Sequence, residues 1–191
     1  MIIAREVIQP LTLKEMGVTL FIAALLALLL YPLDAILSPT VSFIVFIGMA
    51  VGALNLAVYL LNKFGVALLT FSFLGVLAFP LALVGVAGWT QLLVLFIAGL
   101  IFELLFITLK LEMHNIPLEI VIGTALSLSS IPLSVGMLLS PQLVLDFHVA
   151  LLNMMALASL AALISSVTTF LLWYRLKEAK RVIELQAYLR A

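Results

Sequence analysis

Apolar residues form long blocks along this chain, and short polar or charged stretches separate them. One uncharged run extends from Met16 to Leu33, and a second extends from Ala35 to Asn62. Since a helix needs about 20 apolar residues to cross the hydrocarbon core of a bilayer, each run predicts one membrane-spanning helix. The first run follows Thr12-Leu13-Lys14-Glu15. This Ser/Thr-x-x-Glu pattern of a capping box predicts a helix start at about residue 13.

The middle of the chain contains a longer uncharged stretch, from Phe64 to Phe102. This length suits two spans, and the segment from Gly85 to Gln91 supplies glycine and polar residues for a turn between them. A fifth helix is predicted after Asn115, a residue type that caps helices, with Pro117 favoured in its first turn. The segment Ser140-Pro141-Gln142 then separates the fifth helix from the sixth.

Together these segments predict an all-α integral membrane bundle of six transmembrane helices, forming a single domain over residues 1–191. The first apolar run is long enough to span the membrane and follows mixed polar residues, so we expect it to be retained rather than removed as a signal peptide. The helices are predicted at about residues 13–33, 41–61, 65–87, 91–110, 117–139 and 143–174, with a helical tail at 175–190.

The positions of the basic residues orient this predicted bundle. With six spans, all nine lysines and arginines fall on one side of the membrane, whereas an odd number of spans would divide them between both sides. Basic residues concentrate on the cytoplasmic side, so both termini are predicted to be cytoplasmic in a multi-pass protein of the cell membrane. The nine residues are Arg5, Lys14, Lys63, Lys110, Arg175, Lys177, Lys180, Arg181 and Arg190.

Composition excludes a soluble domain and several classes of chemistry. Hydrophobic residues make up 66% of the chain and charged residues 9%, whereas about a quarter of a soluble domain is charged. Basic and acidic residues balance, which gives no basic excess for nucleic acid, although the basic start of the tail suits anionic lipid headgroups. The chain has no cysteine and no H-E-x-x-H, G-x-S-x-G or P-loop motif, so we expect no enzymatic activity, cofactor or metal site.

Glu103 is the clearest charged residue inside a predicted span. Because a charge in the hydrocarbon core is costly, Glu103 is either a ligand or proton site or a carboxyl group hydrogen-bonded within the helix packing beside Gly99. Asn55 and Asn153 are amides in apolar surroundings, where such groups join helices by hydrogen bonds. Asn153 is also a candidate site residue, since it lies near the predicted outer boundary.

Other polar and aromatic residues collect at the predicted outer face. Trp89 and Gln91 lie at the turn between the third and fourth helices, and His148 lies early in the sixth. Ser130 lies beside Pro132, whose missing donor frees a backbone carbonyl and suits the region to line a pocket. The alternatives are that Trp89 belongs to an interfacial aromatic belt and that the serine lets helices pack closely.

Two segments of the middle region resemble a known family. They are Phe64-Gly65-Val66-Ala67-Leu68-Leu69 and Gly99-Leu100-Ile101-Phe102-Glu103-Leu104-Leu105-Phe106, with Gly88-Trp89 between them. This order of glycine, tryptophan loop and Gly/Glu-Leu-x-Phe resembles helices three and four in the S-components of energy-coupling factor (ECF) transporters. It is most similar to the S-component family linked to the thiamin precursor hydroxymethylpyrimidine, and it covers about a quarter of the chain.

The resemblance implies a substrate-binding subunit that captures a small organic nutrient, a vitamin or thiamin precursor, at the outer face. Uptake would then depend on a separate T-subunit and two ATPase subunits. An Ala-x-x-x-Ala face at Ala23 and Ala27 would dock against the T-subunit. The resemblance places the substrate near Trp89, Gln91, Ser130, His148 and Asn153, and Glu103, the charged residue inside a span, joins them as a candidate substrate-binding residue.

Two other functions stay open on the sequence. The chain is alternatively a non-catalytic scaffold or assembly subunit of a membrane complex, in which Asn55, Glu103 and Asn153 serve helix packing alone. It is alternatively an independent small transporter or channel that uses Glu103.

Overall fold

The structure is a computed structural model that describes residues 10–109, 112–113, 116–139 and 141–190. This part of the chain is all-α apart from a two-stranded antiparallel hairpin, β1 (Glu112–Met113) and β2 (Ile116–Pro117). In chain order, the helices are α1 (Leu13–Ile36), α2 (Pro39–Leu61), α3 (Val66–Leu77), α4 (Trp89–Leu109), α5 (Leu118–Leu139), α6 (Pro141–Asp146), α7 (His148–Leu176) and α8 (Lys180–Arg190).

Among the described helices, α1, α2, α4, α5 and α7 are long and apolar enough to cross a membrane. The chain is therefore a multi-pass helical membrane protein. The observed bounds of α2, α4 and α5 lie within two residues of the predicted ones. Arg5, Lys110, Asn115 and Ser140, on which parts of the sequence prediction depend, lie outside the described residues.

The start of α1 is tied to the segment that follows α2. The predicted capping box is confirmed, because the Thr12 side chain accepts from the Glu15 N–H and the Glu15 carboxylate accepts from the Thr12 N–H, at 3.4 and 2.7 Å. The same carboxylate forms an ion pair with Lys63, with Nζ 2.7 Å from Oε1. The beginning of α1 and the end of α2 therefore lie at the same end of the bundle.

The last helix folds back to that same end. Lys14 Nζ lies 4.4 Å above the Tyr188 ring of α8, a cation–π distance, and Leu189 is buried. Lys14, Lys63 and the tail helix α8 thus lie together at what we call the basic end. Among the described residues, this agrees with the charge pattern of the sequence. The opposite end contains the α1–α2 turn, where the Ser42 hydroxyl donates to Asp34 at 3.0 Å.

The core is formed by helices that pack side by side around α2 and α5. α2 and α7 run parallel, since Ser165 Oγ donates to the Gly48 carbonyl at 2.6 Å, and Tyr59 stacks on Trp173 farther along both helices at 5.8 Å. α5 lies against both α4 and α7. Ser127 Oγ of α5 donates to the Ala98 carbonyl of α4 at 2.5 Å, which helps to satisfy polar groups inside an apolar bundle.

The third helix was predicted at 65–87, and its predicted end was wrong. α3 stops at Leu77 after 12 residues, a length of about 18 Å that is too short to span a bilayer as a helix. Residues 78–88 continue as an irregular loop toward the opposite end, with Ala78, Leu81 and Leu83 buried. The structure therefore contains five long spans and one shorter apolar helix within the described residues, where the sequence predicts six spans.

The sixth predicted helix, at 143–174, is divided at its start. α6 covers six residues and ends at Asp146, and α7 begins at His148 after a break at Phe147. α7 then continues to Leu176 over 29 residues. The predicted helical tail is also interrupted, by a turn at 177–179 that turns α8 back toward Lys14.

Candidate functional site

The loop at 78–88 is held by the side chain of Gln91, in the first turn of α4. Gln91 Oε1 accepts from the Leu83 N–H at 2.9 Å, and Gln91 Nε2 donates to the Ala78 carbonyl at 2.8 Å. The Gln91 side chain is completely buried. It therefore replaces the backbone pairing that an irregular segment inside a membrane protein would otherwise lack.

The same loop brings two aromatic residues, Phe79 and Trp89, together at the end of the bundle opposite the basic end. Gly88 has a positive φ of 69°, which favours glycine, and its N–H donates to the Phe79 carbonyl at 3.0 Å. This turn brings the Phe79 ring edge-on to Trp89, with centroids 5.4 Å apart. Trp89 is nonetheless 73% exposed. An exposed indole at the start of α4, beside a braced loop, is suited to stack against a flat ligand or to lie in a membrane interface.

Glu103 lies in a different part of the bundle. Its Oε1 accepts from the backbone N–H groups of Ala67 and Leu68 at 2.7 and 3.3 Å, which are the second and third residues of α3. The first N–H groups of a helix have no intrahelical partner, and the helix dipole favours an acidic group there. Glu103 therefore caps α3 from the side of α4, roughly 21 Å along α4 from Trp89.

The remaining predicted site residues lie on α5 and α7. Ser130 is half-buried, and its hydroxyl donates to the Ser127 carbonyl of its own helix at 2.6 Å. His148 is the first residue of α7, and both it and Asn153 are exposed. α5 lies between α4 and α7, each of which packs against it. The structure thus brings Trp89 and Gln91 together at the start of α4 and places His148 and Asn153 near the start of α7.

The two alanines predicted to dock against a T-subunit lie inside the bundle. Ala23 is 0% exposed and Ala27 is 4% exposed. α1 packs against α2 and α3, and its exposed surface contains larger apolar side chains, among them Phe21, Leu25 and Leu28. A partner helix that approaches α1 from outside would meet these larger residues first.

A set of polar residues lies together inside the bundle near the basic end, and the sequence did not predict this set. Asn55 of α2 donates to Ser166 Oγ of α7 at 2.8 Å, which agrees with the sequence interpretation of this amide as a link between helices. Tyr59 lies one turn farther along α2, and the carboxylate of Glu119 on α5 is close enough to act on Tyr59 electrostatically. The four-residue spacing of Asn55 and Tyr59 on one helix face is the sequence signal that indicates this group.

The described residues contain no group of three or more histidine, aspartate or glutamate side chains arranged to hold a metal ion. A scan against protein-family models finds no family that matches the chain, and searches of the curated proteins and of the solved structures find no match either.

Proposed function

We propose that this membrane protein is the substrate-binding component of a transporter of the ECF type, and that it captures a small organic nutrient at the end of the bundle opposite its basic residues. The observation that best supports this proposal is the braced loop at 78–88, which Gln91 holds and which presents Trp89 to the surroundings. A rigid aromatic surface binds a planar ring at a low cost in conformational entropy. Vitamins and thiamin precursors contain such rings.

The charge distribution supports the direction of capture. Lys14, Lys63 and the basic tail lie at the basic end, and by the rule that cytoplasmic segments are basic, this end is proposed to face the cytoplasm. Trp89 would then face the outside. A nutrient arriving from outside would meet Trp89 first, with His148 and Asn153 near the start of α7 as further contacts.

Uptake would need partners under this proposal. The sequence has no P-loop for a nucleotide, so a T-subunit and two ATPase subunits would supply the energy. Because Ala23 and Ala27 are buried, docking of the T-subunit on α1 would either involve its exposed face around Leu25 or require α1 to move away from its neighbours.

A scaffold or assembly subunit is the second candidate function, and a specific observation favours it. Asn55, Gln91 and Glu103 all form hydrogen bonds that join helices or hold a loop. Polar side chains used in this way stabilise a bundle without any ligand. The independent transporter that uses Glu103 is supported less well, since Glu103 caps α3.

Tryptophan fluorescence separates these functions, because the chain has two tryptophans, Trp89 and Trp173, on different parts of the bundle. In W173F, Trp89 is the only tryptophan, and in W89F the stacked Trp173 is the only one. Excitation at a wavelength that tyrosine does not absorb reports the single tryptophan of each variant. Both variants, purified in detergent, would be titrated with B-vitamins, their precursors and transition-metal ions. We expect one compound to change the emission of W173F saturably and to leave that of W89F unchanged.

Thermal shift gives an independent readout of the same binding. A ligand at 100 times its dissociation constant stabilises the folded protein by about 2.7 kcal/mol. Removing the indole in W89A should weaken binding of the compound by roughly 1 to 3 kcal/mol, by analogy with bases stacked on aromatic residues. An unchanged affinity would exclude Trp89 from the site. If the protein is intact and no compound gives a binding signal in either assay, the result would favour the scaffold function.

A further inference from the structure

Three helices meet at a buried polar junction near the basic end, formed by Asn55 and Tyr59 of α2, Glu119 of α5 and Ser166 of α7. Tyr59 is two residues from the end of α2, and Glu119 is in the first turn of α5. Asn55, Glu119 and Ser166 are buried. Apolar rings close the junction on the side of α7, where Phe170 and Trp173 contact the Tyr59 ring.

Asn55 has one polar atom without a partner in this junction. Its Nδ2 donates to Ser166 Oγ, but no donor among the described residues reaches Asn55 Oδ1, although the residue is 0% exposed. Rotating the amide by 180° would pair its oxygen with Ser166 and would leave its nitrogen unpaired instead. In either orientation, one amide atom needs a further partner.

The Tyr59 hydroxyl is in the same situation. Its oxygen is buried, and it makes no hydrogen bond to any residue that the structure describes. Asn55 and Tyr59 are four residues apart on α2, so their side chains start about 5 to 6 Å from each other on the same helix face. One small molecule joins two such buried polar atoms when it lies about 2.7 to 3.2 Å from each.

Leaving both atoms unpaired would be costly, since each buried polar group without a hydrogen bond destabilises a protein by roughly 1 to 3 kcal/mol. We propose that an ordered water molecule binds at this junction and bridges the Asn55 amide and the Tyr59 hydroxyl, as an integral part of the packing of α2 against α5 and α7. Water fits because it both donates and accepts. It therefore satisfies Asn55 in either amide orientation and Tyr59 in either hydroxyl orientation.

The direction in which one conservative substitution, Y59F, changes the melting temperature tests the bridge. If the Tyr59 hydroxyl is unpaired, removing it in Y59F deletes a buried polar group and raises the melting temperature. If a water joins it to Asn55, Y59F breaks the bridge and lowers the melting temperature, by about 2 to 4 °C for each kcal/mol lost. We expect the decrease. Tyr174, which is largely exposed on α7, is the matched control, and Y174F should not change the melting temperature.

A second substitution shows whether Asn55 is the other partner. In an N55L background the bridge is already lost, so Y59F should cause a much smaller decrease than in the wild type. An equal decrease in both backgrounds would mean that the Tyr59 hydroxyl acts through another group, and it would overturn the bridge. An increase or no change in the wild type would overturn it as well.

The same measurements distinguish water from a small cation, which would also bind oxygen atoms. Replacing sodium and potassium chloride by choline chloride should change the melting temperatures of the wild type and of N55L by the same amount. A decrease in choline confined to the wild type would assign the junction to a bound metal cation and overturn the proposal of water.

Discussion

The Glu103 carboxylate of α4 accepts a hydrogen bond of 2.7 Å from the backbone N–H of Ala67, at the start of α3. An acidic residue in the middle of an apolar block thus serves as a cap for a neighbouring helix, 36 positions away in the sequence. This arrangement has consequences for stability that differ from those of a proton-carrying residue.

Replacing Glu103 by leucine should destabilise the protein by about 2 kcal/mol, because two N–H groups of α3 lose their acceptor inside the bundle. E103Q is the matched control, since its amide oxygen still accepts these hydrogen bonds. Thermal unfolding in detergent compares the two variants. If E103Q retains stability and also retains any uptake activity, the role is structural. Proton-coupled flux that is lost in E103Q would instead support the independent transporter.

Replacing Gln91 by leucine should loosen the loop at 78–88. The side chain keeps a similar size, but the Leu83 N–H and the Ala78 carbonyl lose their partner. Hydrogen–deuterium exchange should therefore become faster in this loop than in the wild type, while exchange in α2 stays unchanged. Q142L, at an exposed position of α6, is the control. Equal protection of the loop in Q91L and the wild type would contradict the bracing role.

Replacing Gly99 by alanine should force α3 and α4 apart. The added Cβ would lie 3.0 Å from the Leu68 Cα, a backbone atom that cannot move by side-chain rotation. We expect a loss of about 1 to 3 kcal/mol, as in other overpacked interiors. Gly17 has nothing within 4 Å of the added atom, so G17A should be neutral or stabilise by up to about 1 kcal/mol through helix propensity. Thermal unfolding of both variants checks the contrast.

The ion pair between Glu15 and Lys63 should show coupling in a double-mutant cycle. E15Q keeps a residue type that completes a capping box but removes the charge, and K63M keeps the length of the side chain without its charge. Each change should cost about 2 kcal/mol, as for hydrogen bonds to charged groups. The double variant should cost little more than either one. Fully additive losses would show that the two residues do not stabilise the bundle through each other.

Hydropathy predicted most of the helices because it counts apolar residues, and α2 and α4 have little other signal. The capping box at Thr12 and Glu15 fixed the start of α1 for a local reason that the sequence displays. The end of α3 could not be predicted in this way. The loop after Leu77 is as apolar as a helix, and its irregular backbone is tolerated only because Gln91, on the next helix, folds back to bind it.

The candidate site was harder to predict than the helices. Polarity identified Gln91, Glu103 and Asn55 as unusual, but it did not identify their partners, which lie 8 to 111 positions away in the sequence. A residue predicted to contact substrate, such as Gln91, is committed to the backbone in the folded protein. Only the packing of helices determines which polar groups remain for a ligand.

The shortness of α3 also affects how the chain enters the membrane during synthesis. A 12-residue helix offers less apolar length than an independent span needs, and the irregular segment after it acquires its partners only when α4 arrives. We therefore expect α3 and α4 to insert together as a helical hairpin. With the basic end on the cytoplasmic side, as proposed above, a nascent chain that ends with α3 and a glycosylation tag should leave the tag in the cytoplasm, whereas independent insertion of α3 would deliver it to the far side. The translocation machinery would thus treat the two segments as a single unit.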